Sequence, residues 1–330
     1  MKNTVGIILR CKYAGLLFCF LGLILFGRIQ SAGHTRINDK IDLHANDTIP
    51  VFKLAYSLSV FRNVNVNDAK AAAKIFIQEI IKQVKKNYRS EATVIDNLLE
   101  NPNIIKKEDV NIINMTSYEY LAIQKKIKLY PFAIPVLNDS CLNKVIILVR
   151  KDSNISSIAD LKNKRIKIQA TSPMSETSIL DVWAKVQFNN NNVNLNNAFT
   201  SQETLHETAS KAITSIFFKK TDAAVVVEDD YKTIIELNPQ LGKELKVIAI
   251  SKPLLLAISC YTEKEMQENK SMRDLMITTT FNLQKNQTGQ NFLNIFKMRM
   301  LIPFKSDYLK NVTDLYNEYE SIAKKNKNFK

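Results

Sequence analysis

From residue 50 onward the chain switches repeatedly between short β-like apolar runs and stretches with the four-residue spacing of amphipathic helices. Val51-Phe-Lys-Leu-Ala-Tyr56 predicts a first strand. Asn67 or Asp68 can cap the helix that follows, in which Ala72, Phe76, Ile80 and Val84 share one face. Ala92–Ile95 and Val110–Ile113 predict two further strands, and Ser117 begins a helix carrying Tyr118, Leu121 and Ala122. Strand–helix–strand alternation of this kind implies a largely parallel sheet covered by helices.

The rhythm then restarts. Lys144–Val149 is an apolar strand, Ser156–Leu161 a short helix and Arg165–Ile168 a strand. Ser175 opens a helix with Ile179, Leu180 and Trp183 inward, which makes Trp183 a core residue, and the polar tract Asn189–Asn192 is a loop. Leu205, Ala209, Ala212 and Ile216 form another helical stripe before the buried strand Ala223–Val227. Leu245–Ile250 and Leu254–Ile258 read as strands separated by Pro253, and the chain from Glu263 onward reads as helical, ending in Tyr308–Lys325. Two βαβ clusters and a C-terminal helical segment imply a chain that enters a second lobe and returns to the first. The expected lobes are 50–140 plus 259–330, and 143–250, with hinge strands near 141–149 and 253–260 and a cleft between the lobes.

Composition narrows the class. With 330 residues, 45% hydrophobic and 24% charged, the chain suits two compact soluble domains. Lys2, Arg10 and Lys12 precede an apolar run from Ala14 to Phe26, followed by Ser31-Ala32-Gly33. This is the layout of a secretory signal peptide, and the run is shorter than the roughly 20 apolar residues of a membrane span. Residues 1–32 are therefore expected to be a signal peptide or, uncleaved, an N-terminal anchor, and the protein to be periplasmic. Those residues hold Lys2, Arg10, Lys12 and Arg28 and no acid, so their removal takes the formal charge from +14 to +10. The remaining lysines are scattered along helices, and no basic run interleaves with aromatics as single-strand binding requires, so no nucleic-acid partner is expected.

Reactive side chains are sparse. His34, His44 and His206 lie far apart, and no cysteine–histidine cluster has metal-ligand spacing. With no metal motif and no Ser/His/Asp order in a convincing context, neither an enzyme nor a cofactor is expected. Beyond the leader, Cys141 and Cys260 sit at the two crossovers, which can bring them together as a disulfide or leave two buried thiols.

Several segments carry a resemblance. Val110-Asn-Ile-Ile-Asn-Met-Thr-Ser-Tyr-Glu-Tyr-Leu121, Ile147-Leu-Val-Arg-Lys-Asp-Ser153, Ile158-Ala-Asp-Leu-Lys-Asn-Lys-Arg165 and the strand with Asp222-Ala-Ala-Val resemble the phosphate/phosphonate-type substrate-binding proteins of ABC transporters. The similarity runs loosely from about residue 50 to 310. It implies an α/β, two-lobed type 2 periplasmic-binding-protein fold, each lobe a mostly parallel sheet flanked by helices, with the ligand cleft between lobes. It also implies a monomer that captures a small anionic solute, phosphate- or phosphonate-like, for an ABC permease at the inner membrane. The same fold also serves as a ligand-sensing domain partnering a membrane-bound signalling protein, which is the alternative reading. Asn111 stands where the family often has Asp, Met115 where it often has an aromatic, and Asn163 where it has Gly; asparagine also tolerates a left-handed turn.

Beyond the leader only Gly33, Gly242 and Gly289 remain, which excludes a glycine-rich phosphate cradle. An anion must then be held by hydroxyls and by N–H groups at helix starts. Tyr56, Ser57 and Ser59 follow the first strand, Thr116 and Ser117 the third, and Thr171, Ser172, Ser175 and Thr177 lie between a strand and a helix in the second lobe. The resemblance has these loops face one another across the cleft, although Ser117 and Ser175 serve equally well as plain helix caps. Glu228, after Val225–Val227, stands at the edge where it would meet a cationic group on the ligand.

Overall fold

The computed structural model describes residues 49–61, 65–83, 87–137, 139–169, 178–193, 206–268 and 270–325. The signal-like residues 1–32 lie outside these, as do Thr171, Ser172, Ser175 and Thr177. The first pass of the chain builds β1 (Val51–Ser57), α1 (Val66–Gln83), β2 (Arg89–Ile95), α2 (Ile104–Lys107), β3 (Ile112–Thr116), α3 (Ser117–Ile123) and β4 (Leu129–Val136). The side chain of Asn65, rather than Asn67 or Asp68, caps α1, accepting from the N–H groups of Asn67 at 2.9 Å and Asp68 at 3.2 Å. Ala72, Phe76 and Ile80 are buried on the inward face of α1, as their spacing requires.

The chain then crosses through β5 (Leu142–Asn143) into β6 (Val145–Arg150), β7 (Ile166–Gln169), α4 (Ile179–Asn190), β8 (His206–Glu207), α5 (Ala209–Phe217), β9 (Ala223–Val227), α6 (Glu228–Leu237), α7 (Pro239–Glu244) and β10 (Leu245–Ile250). Every residue of β9, and of β6 up to Val149, is buried, which is why these strands are continuous apolar runs rather than alternating ones. The return passes through β11 (Leu254–Leu255) and β12 (Ala257–Thr262) to α8 (Glu263–Glu268), α9 (Lys270–Thr280), α10 (Gln287–Ile295), β13 (Met300–Pro303) and α11 (Lys310–Lys325).

Two large sheets result, one per lobe, in the orders β13-β4-β12-β3-β1-β2 and β10-β6-β9-β7-β8, and β5 and β11 form a third, two-stranded sheet at the crossovers. Both large sheets are mixed rather than mostly parallel. β1 runs parallel to β2 and β3, and β7 to β8 and β9, but β12 is antiparallel to β3 and β4, and β6 to β9 and β10. The reversed strands are β6 and β12, which enter their sheets from the crossovers against the βαβ direction, and the edge strand β13.

Two sequence expectations need correction here, and one strand, β4, carried no sequence signal. Leu254–Ile258 is not one strand: it breaks at Leu256 into β11, paired with β5, and β12, paired with β3. The C-terminal region is not all helical, because β13 adds an edge to the first sheet beside β4. β4 itself contains Pro131 and Pro135; Pro131 sits where the β12 register slips, so its missing N–H falls at a bulge.

Of the two alternatives for Cys141 and Cys260, the structure has free thiols, with Cys260 buried and Cys141 half-buried. Leu142 pairs with Leu255, so continuing the register puts Cys141 level with Leu256. Four residues of extended strand separate that point from Cys260, about 13 Å at roughly 3.3 Å per residue. A disulfide spans Cα atoms within about 7 Å.

The segments that carry the resemblance turn out to be structural clips. Arg150 donates to Asp152 at 2.6 Å, to the Phe217 carbonyl at 2.7 Å and to Glu244 at 2.9 Å, binding the end of β6 to α5 and α7. Asp160 accepts from the N–H and hydroxyl groups of both Ser156 and Ser157, at 2.9–3.1 Å. Asn163 adopts φ 61°, the left-handed turn its position called for. Asp109, Asn192, Lys219 and Lys297 are left-handed too. Asn111 accepts from the Lys53 N–H at 2.8 Å and donates to buried Glu265 at 2.8 Å; aspartate there would set a second carboxylate against the first.

Two outcomes follow for stability. A Cβ on Gly289 would overlap the Leu283 backbone carbonyl at the start of α10. Gly289→Ala should therefore lower unfolding free energy by about 1–3 kcal/mol, read by urea denaturation. The Ser156 and Ser157 hydrogen bonds hold the Asp160 carboxyl down, at about 2. Its stabilising contribution is present above the unfolded value near 4 and disappears as pH falls through about 2. The stability gap between wild type and Asp160→Asn at pH 7 should close over that acid window, as followed by thermal unfolding at stepped pH.

Candidate functional site

Between the two sheets lies a cleft of about 570 Å³ lined by residues of both lobes. On the first lobe, one row across the sheet is polar: Tyr56 of β1 is level with Asn114 of β3, which is level with Ser259 of β12. All three line the cleft, with Ser59 and Thr116 beside them. Ser259 Oγ donates to Asn114 Oδ1 at 2.5 Å, and Asn114 donates in turn to the Ala55 carbonyl at 3.3 Å.

Tyr56 is 3% exposed, and its ring stacks on Phe296 at 5.3 Å and leans on Phe61 at 5.5 Å. Its hydroxyl is buried without a hydrogen-bond partner among the described residues. Burial pushes the phenol far above its ordinary range, so it stays protonated and is a donor at neutral pH. The Asn143 side-chain oxygen, at the crossover, is a second buried, unpartnered atom on the cleft wall. Leaving such groups unpaired is costly, which makes them the first places to look for a bound molecule.

Ser57 and Ser117 stand behind the lining rather than in it. Ser57 donates to Glu119, and Ser117 to the Leu255 carbonyl of β11. Glu119 is buried and also accepts from the Thr116 N–H at 2.8 Å and hydroxyl at 2.9 Å, closing a capping box on α3. Thr116 thus has two duties, a cap and a cleft residue.

From the second lobe the starts of three helices reach the cleft: Ser178 to Leu180 at α4, Ala209 and Ser210 at α5, and Asp230 at α6. Ser178, rather than Ser175, caps α4, with Asp181 completing its capping box. The first turn of α6 holds Glu228, Asp229 and Asp230. Glu228 is not among the lining residues and pairs with Lys232 at 3.4 Å, whereas Asp230 lines the cleft and accepts from Gln169. α5 differs from α3, α4 and α6: its first turn carries no acid, and its cap is the hydroxyl of Thr208. A helix start favours negative charge, and α5 is the one of these four whose own sequence supplies none.

Of the residues expected at the site, Tyr56 and Thr116 line the cleft, as does Ser59. Asp230, which with Glu228 and Asp229 follows Val225–Val227 at the expected edge, lines it, and Asn114, Ser178, Ser210, Ser259 and Lys297 line it without having been singled out. Ser178 had a legible signal, since Ser178-x-x-Asp181 is a capping box; Asn114 and Ser259 depend on strand register, and Ser210, Asp230 and Lys297 on how α5, α6 and α10 are seated, neither of which the sequence prints. Trp183 is buried in the core of the second lobe. Among the described residues no group of three or more His, Cys, Asp and Glu side chains could hold a metal ion, and no helix is long and apolar enough to cross a membrane.

The chain matches the family described as ABC transporter, phosphonate, periplasmic substrate-binding protein over residues 59–308. No curated protein sequence matches it. Among solved structures it is similar to XAC2383 from Xanthomonas citri bound to ATP, with a TM-score of 0.62 and 11% identity over 83% of this chain and 98% of that one. It is similar to a binding protein component of an ABC phosphonate transporter from Pseudomonas aeruginosa, with a TM-score of 0.59 and 16% identity over 85% and 90%. PhnD1 from Prochlorococcus marinus in complex with methylphosphonate gives 0.58 and 14% over 82% and 98%. At these identities the likeness speaks for the fold. The family match spans well over half the chain, and the protein therefore belongs to the periplasmic substrate-binding proteins of phosphonate ABC transporters.

Proposed function

We propose that the protein captures a small phosphonate-like oxyanion in its cleft and hands it to an ABC permease, as a monomer and without chemical turnover. One observation carries the reading: a helix start with no acid of its own and a buried, unpartnered hydroxyl donor line the same cleft from opposite lobes. Ala209 and Ser210 belong to the first turn of α5, whose leading N–H groups have no acceptor inside the helix. Tyr56 supplies a neutral donor from the first lobe, and Thr116 a second hydroxyl. An oxyanion gathers such donors because charge-assisted hydrogen bonds are the strong ones.

Lys297 lines the cleft as a cation on the first lobe. The excess of lysine over acid across the chain favours encounter with anions. Thr171, Ser172, Ser175 and Thr177 are proposed to add hydroxyls from the second lobe. Closure would bend the chain at the two crossovers, near 141–149 and 253–260, bringing the α5 start toward Tyr56. Export through residues 1–32 places this capture outside the inner membrane.

The reading is tested by a thermal-shift and calorimetric panel of phosphate, phosphite and methylphosphonate. At least one should raise the midpoint of unfolding. Tyr56→Phe should weaken its binding about tenfold, the loss expected for one hydrogen bond to a charged group. Ser210→Asp should abolish binding while leaving the ligand-free protein at least as stable, because a carboxylate then occupies the α5 start. Anion binding that Ser210→Asp does not disturb would refute the site.

A further inference from the structure

One side of the cleft has no role in holding an oxyanion. Starting beside Tyr56, the wall is made by Val60, Phe292 and Phe296, continues through Met298, and ends at Leu301 on the edge strand β13. Phe292 and Phe296 project from one face of α10 with ring centroids 4.6 Å apart, and Phe296 stacks directly on the Tyr56 ring. β13 holds the far end in place by pairing Leu301 with Pro135, which also faces the cleft. Across the cleft, Ile179, Leu180 and Ile234 of the second lobe are apolar as well.

Measured across the first sheet, the cleft is long. Tyr56 and Leu301 lie on β1 and β13, four strand steps apart in the order β13-β4-β12-β3-β1. At about 4.8 Å per step that is about 19 Å. The cleft's volume of about 570 Å³ falls in the range that encloses a drug-sized molecule, and a one-carbon phosphonate occupies a small part of it. Water against so much aromatic and aliphatic surface is unfavourable, so an apolar ligand group there is stabilising in proportion to the area it covers.

Building on the anion site above, we infer that the natural ligand is amphiphilic. Its oxyanion head sits between Tyr56 and the α5 start, and an alkyl or acyl chain lies along the α10–β13 wall. Tyr56 marks the junction, with its hydroxyl turned to the head and its ring continuous with the apolar wall through Phe296. The class comprises long-chain alkylphosphonates and single-chain phosphate esters, in contrast to the free one-carbon anion.

Isothermal titration of the purified protein with methyl-, butyl- and octylphosphonate separates the two readings. Affinity should rise along the series by about fourfold per added methylene, the gain for burying one CH₂, until the wall is filled. Phe296→Ser and Met298→Ser should each flatten that rise. If all three ligands bind with one affinity, or if the rise survives both substitutions, the chain site is refuted while the anion site stands. If none binds, both are refuted.

Discussion

The two lobes are held by a shared spine, and the cleft exists because that spine lies on one side only. The crossovers pair with each other through β5 and β11, and the Val145 N–H donates to Ser251 Oγ at 2.9 Å while the Ser251 N–H donates back to the Val145 carbonyl at 2.8 Å. α11 lies against both halves. Tyr316 and Tyr319 pack on Tyr118 of α3 at 5.7 and 6.2 Å, while Glu318 accepts from Asn190 of α4 at 2.8 Å and Lys185 of α4 sits 6.0 Å from the Tyr319 ring. One hydrophobic cluster accordingly runs from the first sheet through α11 into the second.

That arrangement turns helix ends into the cleft's chemistry. Four helices begin at its edge, and three carry their own acid: Glu119 in α3, Asp181 in α4, and the acidic first turn of α6. Each such carboxylate satisfies local donors and cancels the positive end of the helix. Selectivity for where an anion can sit thus comes from where the protein has not already placed one. The aromatic stack from Tyr56 to Phe292 then sets what the remainder of the ligand can be, since it offers area and no donors beyond the single hydroxyl.

The fold was legible because buried strands and amphipathic helices have different periods, and long runs such as Val145–Arg150 and Ala223–Val227 leave no ambiguity. β4 was not, because Pro131 and Pro135 mask the strand, of which only Pro131 sits at the bulge. The mixed strand directions were equally hidden, being a property of the crossovers rather than of any local pattern. At the site, Tyr56 and Thr116 were accessible as strand ends followed by helix starts. Asn114, Ser259 and Phe296 were not, because what makes them cleft residues is register between strands and the seating of α10. The motif around Arg150 and Asp160 carried the family signal without lining the cleft: its residues fold the entry into the second lobe.

The left-handed turns at Asp109, Asn163, Asn192, Lys219 and Lys297 bear on how the protein could be altered. A residue with a Cβ in that conformation costs roughly 1–2 kcal/mol relative to glycine, yet it also narrows the unfolded ensemble. A glycine-poor chain has accepted the first effect at five of the described positions, so its stability depends on its turns as well as its core. Lys219, in a turn well away from the cleft, is a place where an engineer could recover some of that stability. Lys297 is different, because a glycine there would gain backbone ease by surrendering a charge that lines the cleft.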